Sequence, residues 1–501
     1  MFELLSASLF QIFTSPYLLL TIVAAVFIGS FFGLVPGLGG TLAMVLFIPL
    51  MIGRDPLYGI VFLIAMHAVV HTAGSIPSIL FGIPGTGADA ATVVDGLPMT
   101  QQGKAGTALG AALFASAVGG IIGGMFLLLM LPVVTPVINL ITPSEYFLLA
   151  ILGISFMSAV SGSSLRKGVA VGCLGLCFSF VGISPQSAEM RFTFGQIFLW
   201  DGLDLVTLVL AVFAIPDLLF LDRRKKHTLE KMHTYTLGHV ISGIKMVFVH
   251  RWLAFRTSLL GAVIGLVPGM GGDVASWMCY GHAVQSSKNP DQFGKGAVEG
   301  VIAPETANNS KEGGALIPTL FFGVPGSNGM AVFLLALTIL GVQPGPGLLA
   351  EQGGLVTSLI VTLVLANLLA VAILLPASRY LAQFASIPAG TVIPVGLVMI
   401  VLGSYLSSGN WEYLLILYAM SMLGFGLKYY RWPRAPFVIG VVLGANAETS
   451  YLQAITIWDY GFFLKPLSLI LIAAICSSVA VYFWRRRQER EHQRAGLHYD
   501  V

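Results

Sequence analysis

The stretch "GLVPGLGGTL", Gly33 to Leu42, lies in sequence apolar enough to cross a membrane. It returns 232 positions later as "GLVPGMGGDV", Gly265 to Val274. Proline and glycine are poor helix formers. A matched pair of such phrases predicts a break in two corresponding helices. A second pair follows in the same order: "IPSILFGIPG" begins at Ile76 and "IPTLFFGVPG" at Ile317, 241 positions on. The offset grows by nine, so the second copy carries a small insertion. We read two related halves, 15–221 and 250–445.

The composition around these phrases sets the class. Of 501 residues, 56% are hydrophobic and 10% charged, against roughly 25% charged in a soluble domain. A bilayer core asks for about 20 consecutive apolar residues per helix. Such runs recur at Tyr17–Val35, Leu109–Leu131, Tyr146–Val160, Leu203–Leu221, Leu355–Leu375, Val392–Leu406, Trp411–Leu427 and Leu467–Trp484. The expected architecture is an all-α polytopic membrane protein. It has about a dozen transmembrane, re-entrant or broken helices in two inverted repeats. The expected division is 1–221 (first repeat), 222–249 (basic linker), 250–445 (second repeat), 446–484 (an additional membrane segment) and 485–501 (basic tail).

Charge placement gives orientation. No Lys or Arg precedes Arg54, whereas Asp222–Arg256 holds eight, and the C-terminus carries "WRRRQER". The positive-inside rule puts the linker and the C-terminus in the cytoplasm and the N-terminus outside. If the first half starts outside and the second inside, the halves are inverted, and Leu467–Trp484 supplies the extra crossing. The N-terminus lacks the basic n-region of a signal peptide, so the first apolar run is expected to be retained. Cys173, Cys177, Cys279 and Cys476 all sit in apolar segments and read as small packing residues.

Inverted repeats with paired helix breaks characterise secondary transporters. A break frees backbone N–H groups that favour an anion and carbonyls that favour a cation. Glycine lets a ligand approach the backbone. The candidate substrate-binding residues are Gly37, Gly39, Gly40, Thr41, Pro84, Gly85 and Thr86 in the first half. In the second they are Gly269, Gly271, Gly272, Pro325, Gly326, Ser327 and Asn328. The bland alternative is that Gly and Pro only kink helices or permit close packing.

Polar groups at membrane depth are costly and mark cavities. Asp273 follows the second glycine phrase; its counterpart is Thr41. Asp273, Glu305, Asn308 and Asn309 are the candidate cation ligands, since a hard ion such as sodium wants oxygen. Lys104, Lys295 and Glu312 are expected in ordinary loops, because turn residues surround them. Asp89 and Asp95 are the corresponding acids of the first half.

These segments resemble a known family. GL[VI]PG-x-GGD, FGKGA-x-EGV-x-APE-x-ANN, GGALIPTL-x-x-G-[IV]-PGS and QPGP are similar to the large membrane subunit of the tripartite tricarboxylate transporters. They stand here at Gly265–Asp273, Phe293–Asn309, Gly313–Ser327 and Gln343–Pro346. "DGLPMTQQGKAGTALG", "RFTFG" and "APFVIGVVLG" agree. There are departures: "GADAA" at Gly87–Ala91 replaces proline and serines, "AETSY" at Ala447–Tyr451 replaces an acidic stretch, and "HAVVH" puts His67 and His71 where glycine and tyrosine are commoner.

The resemblance implies binding-protein-dependent import of a di- or tricarboxylate across the bacterial inner membrane, driven by an ion gradient, with sodium as coupling ion and no other cofactor. The implied partners are a small membrane subunit, a periplasmic binding protein, the carboxylate and the lipid bilayer. Self-association is left open, and nucleic acid is not among them. No GxxxxGK[ST] phosphate loop is present to drive transport with ATP.

Two rivals stand beside this reading. One is a passive organic-anion channel. The other is an intramembrane metal-dependent hydrolase, suggested by His67 and His71 one helical turn apart. That enzyme would want HExxH, and Ala68 stands in place of the glutamate. Two histidines bonded inside a bundle or lining a cavity account for the spacing better. No structural metal is expected.

Overall fold

The computed structural model describes residues 2–35, 37–138, 140–160, 165–184, 189–220, 236–345, 347–381, 389–477 and 479–480. Pro36, Pro346, residues 221–235 of the basic linker region and the basic tail 485–501 lie outside the described residues. The chain forms two compact units, Met1–Pro136 with Asp204–Phe425, and Val137–Leu203 with Gly426–Val501.

The first unit opens with α1 (Phe2–Thr14), α2 (Pro16–Leu34), α3 (Gly39–Met51), α4 (Pro56–Phe81), α5 (Ala90–Gln101) and α6 (Ala105–Ile138). Helices α7 (Pro143–Val160) and α8 (Leu165–Ser179) belong to the second unit. The chain then returns to the first unit with α9 (Leu205–Val209), α10 (Ile215–Leu219), α11 (Leu237–Val249), α12 (Arg251–Gly265), α13 (Gly271–Ser286), α14 (Glu299–Phe322), α15 (Asn328–Ile339), α16 (Gly347–Leu381) and α17 (Ala389–Ser408). Then come α18 (Glu412–Tyr429) and α19 (Ala435–Trp458).

Local chemistry sets the ends. Ser15 and Asp55 each cap a helix whose first residue is proline, Asp55 accepting from Leu57 N–H at 2.8 Å. Both glycine phrases break the chain at the same step. Gly37 and Gly39 take φ of 89° and 66°, and Gly269 and Gly271 take 81° and 59°. Residues with a Cβ rarely adopt that conformation. The second phrases also match: α4 ends on Gly82 at φ 67° and α14 on Gly323 at φ 64°, both left-handed C-caps. Each is followed by a non-helical tip and a 12-residue helix, α5 after a 3-10 turn at Gly87–Asp89 and the apolar α15 directly. Between α9 and α10 the helix continues through one π turn, Leu210–Ala214.

The chain is a multi-pass membrane protein built almost wholly of helices. Five described helices are long and apolar enough to cross a bilayer: Pro16–Leu34, Pro56–Phe81, Ala105–Val137, Gly347–Ser378 and Gly390–Ser408. Two bent pairs bring this to seven if each counts as one span. The expected run Tyr146–Val160 lies within α7, Pro143–Val160, whereas the run Leu203–Leu221 holds a shorter apolar helix, Leu205–Leu219. An apolar run counts hydrophobicity, whereas a crossing also needs about 20 residues in one straight helix.

The second unit packs α19 against α7 and α8 through small residues. A side chain at Gly440 would strike the backbone of Gly172, and one at Gly175 that of Phe437. A two-stranded hairpin, β1 (Gly182–Ile183) with β2 (Met190–Arg191), holds Arg191 in a two-pronged pair with Glu448 at 2.7 and 3.0 Å. Of the cysteines, Cys279 is buried, while Cys173, Cys177 and Cys476 are exposed, so the packing role holds for Cys279 alone.

Candidate functional site

Helix α14 carries the polar centre of the first unit. Glu305, Asn308, Asn309 and Glu312 recur at the spacing that puts residues on one helix face. All four are buried, as is Lys311 at 2% exposure. The expectation of a loop role for Glu312 is corrected. The glycines after it mark no turn. Gly313 and Gly314 let the backbones of Gly123 and Ala262 press against the helix. Lys104 and Lys295 do lie in exposed loops.

Each polar group on α14 has its own partners. Glu305 accepts from Thr92 Oγ1 at 2.6 Å and Ser116 Oγ at 2.8 Å. Asn308 Nδ2 donates to Asp89 Oδ1 at 3.3 Å. Asn309 Nδ2 donates to Thr72 Oγ1 at 2.7 Å and Asn367 Oδ1 at 2.5 Å. The Asn308 and Asn309 Oδ1 atoms are buried with no hydrogen-bond partner. Glu312 Oε1 lies 2.5 Å from Lys311 Nζ, 3.2 Å from His71 Nε2 and 3.4 Å from His67 Nε2.

The predicted ligand residues gather around this helix and α4. Gly272 packs on α14, where a Cβ would stand 2.9 Å from Asn308 Oδ1 and 3.0 Å from Lys311 Cε. The next residue, Asp273, is exposed in the first turn of α13. A Cβ at Gly87 would meet its carboxylate at 2.7 Å. The tip of the first half therefore lies beside the break of the second. The converse also holds: a Cβ at either Gly40 or Gly329 would run into the His67 ring, at 2.6 Å from Nδ1 and 2.6 Å from Nε2 respectively. Within each half the tip meets the helix before the break, with Gly85 on Gly33 O and Gly326 on Gly265 O.

The tips are held by caps. Thr86 N–H and Oγ1 donate to Asp89 Oδ2 at 2.7 and 2.8 Å, and Ser327 Oγ accepts from Met330 N–H at 3.1 Å. Gly37, Pro84 and Asn328 are exposed at the breaks. Thr41, Thr86, Gly39, Gly269 and Gly271 are half-buried, and Gly85, Pro325, Gly326 and Ser327 are buried. The expected cation ligands divide. Asp273 and Asn308 flank the same glycine, while the hydrogen bonds of Asn309 run to α4 and α16, and those of Glu305 to α5 and α6. Asp95 has a scaffolding task, accepting from Gly296 and Ala297 N–H at 2.9 Å and Tyr280 at 3.0 Å, which fixes the loop before α14. Sequence reasoning missed Thr72 and Asn367, put Glu312 in a loop, and gave Asp89 and Lys311 no ligand role. The helical spacing 305, 308, 309, 312 was the available signal for Glu312.

A family model described as the tripartite tricarboxylate transporter TctA family matches residues 19–439. An uncharacterised 52.8 kDa protein in the TAR-I ttuC' 3' region of Agrobacterium vitis is 28% identical over 487 residues, covering 94% of each chain. An uncharacterised protein in the TAR-II ttuC' 3' region of the same organism is 32% identical over 227 residues, 44% of this chain and 93% of that one. No solved structure matches.

Proposed function

Since this chain belongs to the tripartite tricarboxylate transporter TctA family, we propose that it is the large transmembrane subunit of a binding-protein-dependent secondary transporter. It imports a di- or tricarboxylate, or a related organic anion, with a cation gradient, sodium foremost. It works with a small membrane subunit and a periplasmic binding protein in the bacterial inner membrane, N-terminus periplasmic and C-terminus cytoplasmic. The two halves are inverted repeats, and the chain is a carrier rather than an enzyme.

One observation carries this reading. The glycine breaks and tips of both halves meet crosswise around α4 and α14, Gly87 beside Asp273 and His67 between Gly40 and Gly329. Broken helices paired around buried polar groups are how carriers build a midplane site. The tips offer the Ser327 hydroxyl and backbone N–H groups for a carboxylate. Asp273 and the unpartnered Asn308 Oδ1 offer oxygens for sodium. A polyanion entering a negative-inside cell is opposed by about 2.3 kcal/mol per charge per 100 mV, which co-transported cations offset.

The test is uptake of a labelled tricarboxylate by proteoliposomes holding both membrane subunits, with the binding protein added outside. An inward sodium gradient should drive accumulation above the external concentration, and a sodium ionophore should abolish it. Equilibration without accumulation would identify a channel.

A further inference from the structure

His67 and His71 stand one helical turn apart on α4, so their rings share a face, with centroids 5.1 Å apart. Glu312 approaches both from α14. In the 241-residue register of the sequence, Glu312 is the counterpart of His71. All three side chains are buried, and their ligand atoms lie within 4.8 Å of one another.

These atoms face one another without making hydrogen bonds. His67 Nε2, His71 Nε2 and both Glu312 oxygens are buried with no hydrogen bond of acceptable geometry. Thr86 explains why this matters. Its hydroxyl proton goes to Asp89 at 2.8 Å, so toward His71 Nδ1, 3.4 Å away, it is an acceptor. His71 then carries its proton on Nδ1, and the Nε2 lone pair of the neutral ring points at a carboxylate oxygen 3.2 Å off. Two acceptors at that distance repel unless something positive lies between them. The two nitrogen–oxygen separations suit a metal ion. Ligands on bonds of 2.0–2.1 Å in a tetrahedron stand about 3.3–3.4 Å apart, and here the two imidazole nitrogens are 3.4 and 3.2 Å from Glu312 Oε1.

We propose that His67 Nε2, His71 Nε2 and Glu312 Oε1 form a three-ligand site for a divalent transition-metal ion, zinc-like in preference, with a further position for water or a carboxylate. Two imidazoles and a carboxylate are the donor set such ions favour over sodium. The Asp89–Thr86–His71 chain is the outer shell that sets tautomer and ring orientation. Lys311 Nζ, 2.5 Å from the same Glu312 oxygen, steadies the carboxylate, which has lone pairs for both cations. Gly40 and Gly329 bracket His67 so closely that neither tolerates a side chain, which holds the ring in place.

The experiment uses the purified full-length protein in detergent, stripped with a chelator and titrated with Zn²⁺ and Co²⁺, bound metal being counted by mass spectrometry. The expected result is about one ion per chain with a tetrahedral Co²⁺ absorption band. His71→Gln and Glu312→Gln should abolish that binding, and Thr86→Val should weaken it about 10–100-fold through the outer shell. Thermal midpoints in chelator establish that each variant is folded. Wild-type protein that takes up no ion, as a cluster holding only protons would, overturns the proposal. So does uptake unchanged in folded His71→Gln and Glu312→Gln. Transport is not read in this titration, so its outcome is separate from that of the carrier reading.

Discussion

Gly272 offers the sharpest test of the idea that the glycine breaks are built for close approach. Its missing Cβ would lie 2.9 Å from Asn308 Oδ1, 3.0 Å from Ala88 Cβ and 3.0 Å from Lys311 Cε. Ordinary van der Waals contact begins near 3.4 Å, so alanine already asks three neighbours on two elements to retreat by several tenths of an ångström. Overpacking of this kind costs about 1–3 kcal/mol. Valine adds two further carbons to the same crowded space. If the strain is relieved by moving Asn308 and Lys311, it falls on the proposed cation and substrate groups, where each 1.4 kcal/mol is about tenfold in affinity. Gly281 is the control, because it lies on the same helix α13 with nothing within 4 Å of its missing Cβ. Gly281→Ala should leave stability unchanged or raise it by up to about 1 kcal/mol. The assays are thermal unfolding in detergent and reconstituted uptake. Gly272→Ala should lower both the midpoint and the affinity for substrate or sodium, and Gly272→Val should abolish uptake while the protein still inserts. Wild-type uptake by a folded Gly272→Val variant would refute the reasoning.

Other expectations follow from the same contacts. Asp273→Asn should raise the sodium concentration for half-maximal uptake or remove sodium dependence; a less stable variant with an unmoved sodium curve would reduce Asp273 to a helix-start residue. Cysteines at Thr86 and Ser327 should be protected from a thiol reagent by saturating substrate and ion, and equal reaction rates with and without them would take the tips out of the site. Asn367→Ala should cost about 0.5–2 kcal/mol in thermal unfolding, because Thr72 and Asn309 both bond to its Oδ1. In the second unit, Arg191→Lys should lower the unfolding midpoint measurably, since lysine cannot reproduce the two-pronged contact with Glu448.

The sequence by itself determined what is local. Composition fixed the solvent as lipid, because no water-soluble core needs so much apolar surface. The paired Pro and Gly phrases located the breaks in the chain, because positive φ and a missing helix donor are properties of single residues; Gly37, Gly39, Gly269 and Gly271 all adopt the conformation their identity permits. Asp273 at the start of a helix was legible for the same reason. Tertiary structure alone decided which polar groups meet. Glu312 reads as a loop residue beside two glycines, yet those glycines admit neighbouring backbones and keep it buried in α14. Asn308 and Asn309 are adjacent in sequence, but one bonds to Asp89 and the other to Thr72 and Asn367. Neighbours on a helix point about 100° apart. His67 and His71 read as a pair inside a bundle or lining a cavity, and the carboxylate that meets them, Glu312, comes from a helix more than two hundred residues away. Periodicity records which face a side chain occupies; what lies opposite that face depends on packing between distant segments, which no short stretch encodes.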